Sequence, residues 1–209
     1  MSLRPIAIAA EGIVDLAVLR RLSSESGFEP YVEHGGRGKS YIDSRLPGFN
    51  NAAKFAPWLV ARDLDQDAPC AGELVRTLLP SRARFMCFRI AVREIESWLL
   101  ADATTLAASF RVPRRRIPDE PDDCSDPAFA MLTALQESEA RSIREAMTRK
   151  RRDGSFERGP EYGTRLAEYA ETAWKPANAS KRSRSLRQAI LRIEQLAETM
   201  KAQGAAPRG

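Results

Sequence analysis

Acidic residues follow three of the apolar segments in this 209-residue chain, each close to the point where the segment ends. Glu11 follows residues 5–10, Asp63 and Asp65 follow residues 58–61, and Glu94 and Glu96 follow residues 85–92. Carboxylates that converge on one place repel one another, and a bound cation offsets that repulsion. Because carboxylate oxygens are hard ligands, we expect these five residues to form a site for Mg²⁺ or Mn²⁺.

A glycine-rich loop with two cations follows the second predicted strand. Its sequence over residues 35–39, Gly-Gly-Arg-Gly-Lys, combines flexible backbone amides with Arg37 and Lys39. Such a loop can cradle a phosphate, although a simple tight turn explains it equally well, and it lacks the spacing of a nucleotide-binding P-loop. We predict that Arg37 and Lys39 contact nucleic acid and that Lys39 touches the scissile phosphate or its neighbour. The only histidine, His34, has no nucleophile motif beside it, so we interpret it as a polar residue at a strand end.

The elements that would position these residues alternate between strand and helix. Apolar runs predict strands near residues 5–10, 28–34, 58–61 and 85–92, with helical patterns between and after them. Residues 40–54 are ambiguous, because Pro47 and Gly48 interrupt any helix there. The alternation predicts an α/β fold with a parallel sheet of about four strands flanked by helices. Right-handed crossovers then bring every carboxyl end of a strand to one edge, where ligands bind in such folds.

The alternation of predicted strands and helices ends near residue 110. Residues 111–126 contain three prolines and read as an exposed loop, and helices are predicted over 127–149, 160–173 and 183–201. Residues 141–209 carry 16 basic and 8 acidic side chains, whereas residues 1–140 carry 17 and 20. We therefore divide the chain into an α/β domain (residues 1–109) and a linker with a basic helical extension that packs on it (residues 110–209). One continuous domain is the alternative.

The basic residues of the extension are candidates for a nucleic-acid surface, because clustered cations attract a phosphate backbone. The predicted contacts are Arg149, Lys150, Arg151, Arg152, Lys181, Arg182 and Arg184. A solvated arginine-rich surface and a surface for an acidic partner protein are the alternatives.

The composition excludes several classes of protein. Apolar residues make up 43% of the chain and charged residues 29%, which is a globular balance rather than that of a disordered or collagen-like chain. No apolar run approaches the roughly 18–20 residues that a membrane span needs, and the N-terminus does not resemble a signal peptide. The three cysteines form no CxxC pair, which favours reduced thiols in a cytoplasmic protein.

Several short motifs, taken in order, resemble the topoisomerase–primase (Toprim) signature. They are Glu11-Gly12 after the first strand, followed by Asp15, and Asp63-Leu64-Asp65 after a later strand. Residues 94–100, Glu-Ile-Glu-Ser-Trp-Leu-Leu, resemble a segment of Toprim nucleases of the overcoming-lysogenization-defect type. Over roughly residues 5–190 the chain is similar to a bacterial family of small Toprim-like proteins of unassigned function. These proteins also carry a Gly-x-x-Tyr motif like that of residues 159–162.

The resemblance implies roles for particular acids. In Toprim enzymes the first glutamate serves acid–base catalysis or metal binding and the Asp-x-Asp pair binds Mg²⁺, which corresponds to Glu11, Asp63 and Asp65. The nuclease branch adds an acid four residues after the glutamate, here Asp15, and the i,i+4 spacing puts it on the same helix face as Glu11. Glu96 matches the motif position two residues before the aromatic.

Only one of Glu94 and Glu96 is expected to bind the metal ion. They lie two residues apart, which is about 200° around a helix, so a helix cannot aim both at one ion. We prefer Glu96 for the site.

Together these features predict a Mg²⁺- or Mn²⁺-dependent nuclease acting on DNA or RNA, with Glu11 or Glu96 handling the proton. The related nucleases typically carry an ATPase domain, and this chain has no P-loop, so a separate AAA- or ABC-type ATPase is the expected partner, in phage defence. The alternative is a non-catalytic regulatory or binding module of a toxin–antitoxin or defence pair, and nucleotidyl transfer ranks last. The oligomeric state stays open, with a dimer as one alternative.

Overall fold

The computed structural model describes residues 3–204, which build an α/β fold around one four-stranded sheet. Its strands are all parallel and lie in the order β2-β1-β3-β4. They are β1 (Arg4–Ala9), β2 (Phe28–His34), β3 (Trp58–Asp63) and β4 (Met86–Ala91). The predicted α/β class, with its parallel sheet of four strands, is therefore confirmed.

Helices join the strands and cover both faces of the sheet. Those of the first half are α1 (Ile13–Glu25), α2 (Gly38–Ala52), α3 (Ala71–Leu78), α4 (Ile95–Ala101) and α5 (Ala103–Phe110). Those of the second half are α6 (Pro127–Gln136), α7 (Arg141–Met147), α8 (Tyr162–Thr172), α9 (Pro176–Ala179) and α10 (Arg184–Gly204). The long α10 confirms the predicted helical C-terminal extension.

The ambiguous segment of the sequence is a helix. The helix α2 continues through Pro47, although proline cannot donate a backbone hydrogen bond. Ile42, Leu46 and Phe49 of α2 are buried in the core on one face of the sheet. Packing of this apolar face therefore outweighs the missing bond.

The helix predicted over residues 127–149 is broken into two helices, and its last two residues belong to a strand. The helix α6 ends at Gln136, α7 is short, and the chain then forms an antiparallel hairpin of β5 (Thr148–Lys150) and β6 (Phe156–Arg158). Gly154 has a φ of 85° in the connecting turn, which is a conformation that favours glycine. The arginine-rich run that suggested a helix surface therefore lies on the hairpin and its turn.

The C-terminal helices share a core with the sheet. Leu166 of α8 and Ile193 of α10 belong to the same buried cluster as Ile6 and Ile8 of β1. The indole N–H of Trp98 in α4 also donates a hydrogen bond of 2.7 Å to Ser185 Oγ at the start of α10. This shared core fits the alternative in which the chain is one continuous domain.

In the part of the chain that the structure describes, no helix combines the length and the apolar character needed to cross a membrane.

Candidate functional site

The carboxyl edge of the sheet carries a cleft of about 450 Å³. Glu11 lies between β1 and α1, Asp63 is the last residue of β3, and Glu96 lies in the first turn of α4 after β4. Asp15 reaches the same cleft from the first turn of α1. We call these four carboxylates the acidic cleft. Three adjacent strands of the sheet thus deliver acids to one place, as the strand order requires.

Glu11 is held in place by the backbone of β3. Its Oε1 accepts a hydrogen bond of 3.0 Å from the Asp63 N–H and lies 3.9 Å from Nε of Arg62. Burial raises the pKa of Glu11, and the hydrogen bond and the positive charge of Arg62 oppose that rise only in part. Glu11 therefore keeps a proton more readily than an exposed glutamate.

Asp15 and Asp63 are the uncompensated acids of the cleft. Asp15 is buried and Asp63 is half-buried, and each has a buried Oδ1 atom without a hydrogen-bond partner. Burial, followed by the negative charge of Glu96, raises the pKa of Asp15 to about 7. Burial and the charge of Asp15 likewise raise the pKa of Asp63 well above its ordinary value. The two side chains need a proton or a cation to be stable where they lie.

Gly12 makes room for this arrangement. A Cβ atom at Gly12 would lie 3.0 Å from Oδ2 of Asp15, which is closer than ordinary van der Waals contact. A side chain at this position would therefore push Asp15 out of place.

Two residues from the C-terminal part complete the cleft. Nη2 of Arg158, at the end of β6, and the hydroxyl of Tyr162, at the start of α8, each donate a hydrogen bond of 3.1 Å to Oε1 of Glu96. The Arg158 guanidinium also lies 5.0 Å from the centre of the Tyr162 ring. Burial, then the charge of Glu96, raises the pKa of Tyr162 well above its ordinary value, so its hydroxyl stays a donor.

Sequence reasoning missed the part that Arg158 plays. The Gly-x-x-Tyr motif, which contains Tyr162, begins at Gly159 directly after Arg158. A Cβ atom at Gly159 would lie 2.6 Å from the carbonyl oxygen of Ala146, so only glycine fits where the chain enters the cleft wall. That motif was the one signal in the sequence that pointed to this wall.

Beside the acidic cleft, a second group of acids is fully paired with cations. Arg62, only 3% exposed, contacts Asp43 at 3.0 Å and Asp67 at 2.6 Å. Lys39 donates hydrogen bonds to Asp65 at 2.9 Å and to both oxygens of Asp67. We call these five residues the paired cluster.

The paired cluster changes the interpretation of two predicted site residues. The Asp65 side chain bonds to Lys39 and is absent from the cleft wall, and its backbone has a φ of 48°. The hydrogen bonds to Asp65, followed by those to Asp67, raise the pKa of Lys39, which therefore stays charged. Lys39 thus serves as the counter-ion of the second acid of the Asp-x-Asp motif.

Glu94 and Glu96 point to different places. Glu94 precedes α4, and its Oε2 accepts a hydrogen bond of 2.8 Å from the Ala128 N–H in the first turn of α6. Burial raises the pKa of Glu94 as well, and the bond to Ala128 opposes that rise. Of the two residues, only Glu96 lines the cleft.

The predicted nucleic-acid contacts are spread over three places. Arg149, Lys150, Arg151 and Arg152 are exposed on the hairpin and its turn, and Arg151 pairs with Glu157 at 2.8 Å. Arg37 is exposed over the ring of Tyr41. Lys181 and Arg184 are exposed at the start of α10.

Arg182, between those two residues, has a structural role. Its guanidinium donates hydrogen bonds to the carbonyl oxygens of Ala101, Pro118 and Asp119 and so ties the loop after α5 to the chain before α10. His34 stacks against Trp58 and packs on Phe49, which agrees with its interpretation as a polar residue at a strand end.

The carboxylates of the acidic cleft are ligands of the type that divalent cations prefer, but they are not arranged as a complete coordination shell. Within residues 3–204, no three Asp, Glu, His or Cys side chains are already arranged around one point as ligands. Mg²⁺ does not need such a cage, since it usually takes one or two carboxylates and fills its shell with water and phosphate oxygens. The unpartnered oxygens of Asp15 and Asp63 fit that requirement. Comparison with protein-family models, with curated proteins and with solved structures found no match for this chain.

Proposed function

We propose that this protein is a Mg²⁺- or Mn²⁺-dependent nuclease that hydrolyses phosphodiester bonds in DNA or RNA. The observation that carries the proposal is the acidic cleft, in which acids from three strand ends meet and two of them keep a buried oxygen without a partner. Burying negative charge is costly unless a cation or a proton compensates it. The motif resemblance to Toprim nucleases supports the same chemistry.

Asp15 and Asp63 are the residues that would hold the cation, with Glu11 as a further ligand. A bound divalent cation would polarise a phosphate and lower the pKa of a water molecule. Asp65 and Glu94 are less suited to the role, because their side chains already bond to Lys39 and to the start of α6.

Glu11 is the best placed residue for proton transfer. The Asp63 N–H fixes its carboxylate in the cleft wall, and burial moves its pKa towards neutrality, where a general base is most effective. Oε1 of Glu96 already accepts hydrogen bonds from Arg158 and Tyr162. Glu96 is therefore better suited to positioning Arg158.

Arg158 and the hairpin supply the positive charge that a nucleic acid needs. The Arg158 side chain is 55% exposed at the cleft, so its guanidinium can hold a phosphate oxygen while it stays near Glu96. Arg149, Lys150 and Arg152 lie on the same hairpin without an ion pair in the part of the chain that the structure describes. They would extend the contact along the phosphate backbone.

Cleavage assays test the proposal directly. Purified protein is incubated with plasmid, single-stranded DNA and RNA in Mg²⁺, Mn²⁺ or EDTA, and Glu11→Gln should lower the metal-dependent rate by about 100-fold or more. Glu73→Gln, which makes the same change at an exposed position in α3, is the control and should cleave normally. Activity of Glu11→Gln near that of the wild type would assign the cleavage to another site or to a contaminant.

Thermal unfolding tests the cation site separately from catalysis. Mn²⁺ at about ten times its dissociation constant should raise the melting temperature of the wild type by roughly 3–6 °C. The double change Asp15→Asn and Asp63→Asn should abolish that rise. Asp65→Asn should retain it, because Asp65 already bonds to Lys39. An equal rise in the double variant would show that the ion binds elsewhere.

One observation favours a second candidate, a non-catalytic binding module that acts with a separate ATPase. The second acid of the Asp-x-Asp motif is neutralised by Lys39, which leaves fewer free carboxylates than the motif suggests. A wild type that is stabilised by Mn²⁺ but cleaves none of the three substrates would support this candidate. A cytoplasmic location fits both candidates, since all three cysteines are free thiols.

A further inference from the structure

A cluster of arginines lies at the amino end of β4, at the opposite end of this strand from the acidic cleft. Arg82 precedes β4, and Arg192 belongs to α10, which packs beside β4. Both line a small cavity of about 140 Å³, together with Gln195 and Thr199 of α10. Arg89, inside β4, is partly buried next to them. Residues 88–91 of β4 separate this cavity from the carboxyl end of the strand by roughly 13 Å.

These three arginines lack acidic partners. No ion pair in the described residues 3–204 involves Arg82, Arg89 or Arg192. The Nε atom of Arg89 is buried and has no hydrogen-bond partner. The structure thus leaves a buried guanidinium donor unsatisfied among other cations, although most buried donors in proteins are bonded.

The positive charges of the cluster shift the pKa values of the groups on β4. Burial lowers the pKa of Arg89, and the positive charges of Arg192 and Arg82 lower it further. Burial raises the pKa of the Cys87 thiol to about 11. The positive charges of Arg89, Arg82 and Arg192 oppose that rise. Arg82 and Arg192 also line the cavity together with Cys87, so their charges meet at this part of β4.

We propose that this cavity is a binding site for a phosphate group, separate from the acidic cleft. Guanidinium groups match the geometry of phosphate oxygens and are the usual means of binding them. Arg192 is already oriented by a hydrogen bond of 2.7 Å to the side-chain oxygen of Gln195. The cavity is well below the roughly 300–1,000 Å³ of ordinary small-molecule pockets, so it has room for one phosphate group and cannot enclose a whole nucleotide.

The test measures melting temperature in EDTA, so it does not depend on the proposed nuclease activity. Inorganic phosphate at about ten times its dissociation constant should raise the melting temperature by roughly 3–6 °C over chloride of equal ionic strength. The double variant Arg82→Gln, Arg192→Gln removes two exposed cations and should lose this rise. The control is Arg76→Gln, Arg187→Gln, which makes the same charge change at two other exposed positions and should keep it.

A phosphate effect no larger than that of chloride in the wild type, or an equal effect in the double variant, would overturn the proposal. The source of the phosphate is decided by binding of a labelled single-stranded oligonucleotide in EDTA. If the double variant binds the oligonucleotide several-fold more weakly than the control and inorganic phosphate competes, the group belongs to a nucleic-acid backbone. If oligonucleotide binding is unchanged while the phosphate-induced rise is lost, the site takes a free phosphate.

Discussion

The acidic cleft and the paired cluster lie side by side at one edge of the sheet. The acids of the paired cluster are neutralised by cations of the same chain, whereas two acids of the cleft are not. In the paired cluster, Arg62 and Lys39 contact every acid within 3.1 Å. In the acidic cleft, Asp15 and Asp63 each keep a buried oxygen with no partner, and acids raise the pKa values of their neighbours. Two neighbouring groups of acids therefore differ in whether the chain itself compensates their charge.

The difference separates a structural role from a binding role. Charges that are neutralised by their own chain hold loops together, and they need no ligand. Charges that are buried without compensation reduce the stability of the fold unless something else binds, and such groups are typical of functional sites. The Asp-x-Asp motif is divided between the two groups, because Asp63 belongs to the cleft and Asp65 to the paired cluster.

The largest effect is expected from breaking the paired cluster at its centre. Arg62→Met removes the buried cation, leaves Asp43 without its ion pair and leaves Asp67 with Lys39 alone, which should lower the free energy of unfolding by about 3–5 kcal/mol. Urea unfolding at pH 7 measures this loss. Arg76→Met, at an exposed position in α3, is the control. A loss as small as that of the control would mean that Arg62 does not hold the cluster together.

A second effect is expected in the acidic cleft, where Asp15 should make the free energy of unfolding depend on pH. The folded protein keeps a proton on Asp15 up to a pKa of about 7, whereas the unfolded chain loses it near the ordinary pKa of an aspartate, about 3.9. Stability in EDTA should therefore fall between about pH 4 and pH 7, with a slope of up to about 1.4 kcal/mol per pH unit from this group.

Asp15→Asn should remove that part of the slope and make the metal-free protein more stable than the wild type at pH 8. Asp123→Asn, an exposed position, should leave the slope as it is. An unchanged slope in Asp15→Asn would show that Asp15 is already ionised in the folded protein.

The smallest effect is expected at the rim of the paired cluster. Lys39 and its partners Asp65 and Asp67 are each about 30–42% exposed, so water and salt screen the pairs. Lys39→Met should cost less than about 1 kcal/mol of unfolding free energy, and the cost should shrink in 1 M NaCl. A loss comparable to that of Arg62→Met would contradict the expectation that the buried Arg62 stabilises the fold more than the exposed Lys39.

Much of this edge could be predicted from the sequence. Apolar runs alternating with helical patterns require a parallel sheet, and a parallel sheet brings the ends of β1, β3 and β4 to one edge. The placement of Glu11, Asp63 and Glu96 at that edge follows from chain order alone. The choice of Glu96 over Glu94 was available as well, from the position of Glu96 in the segment that resembles Toprim nucleases.

Other features were decided only by the tertiary structure. Asp65 leaves the cleft because its backbone takes a positive φ and because Lys39 reaches it from α2. Arg62 is an unremarkable charged residue in the sequence, and only its burial against Asp43 and Asp67 makes it central to the paired cluster. No local pattern encodes the direction of these side chains, since the partners lie on different elements.

The contacts of Arg158 and Tyr162 could not be predicted from local sequence patterns either, because their partner lies far away in the chain. They meet Glu96 across 62 and 66 residues of chain because the hairpin ends at the cleft and α8 packs on α1. Sequence periodicity reports which face of an element is buried, whereas contacts between distant elements depend on how the whole core packs. The sequence alone therefore determined where the acids gather, and the tertiary structure decided which of them keep their charge unpaired.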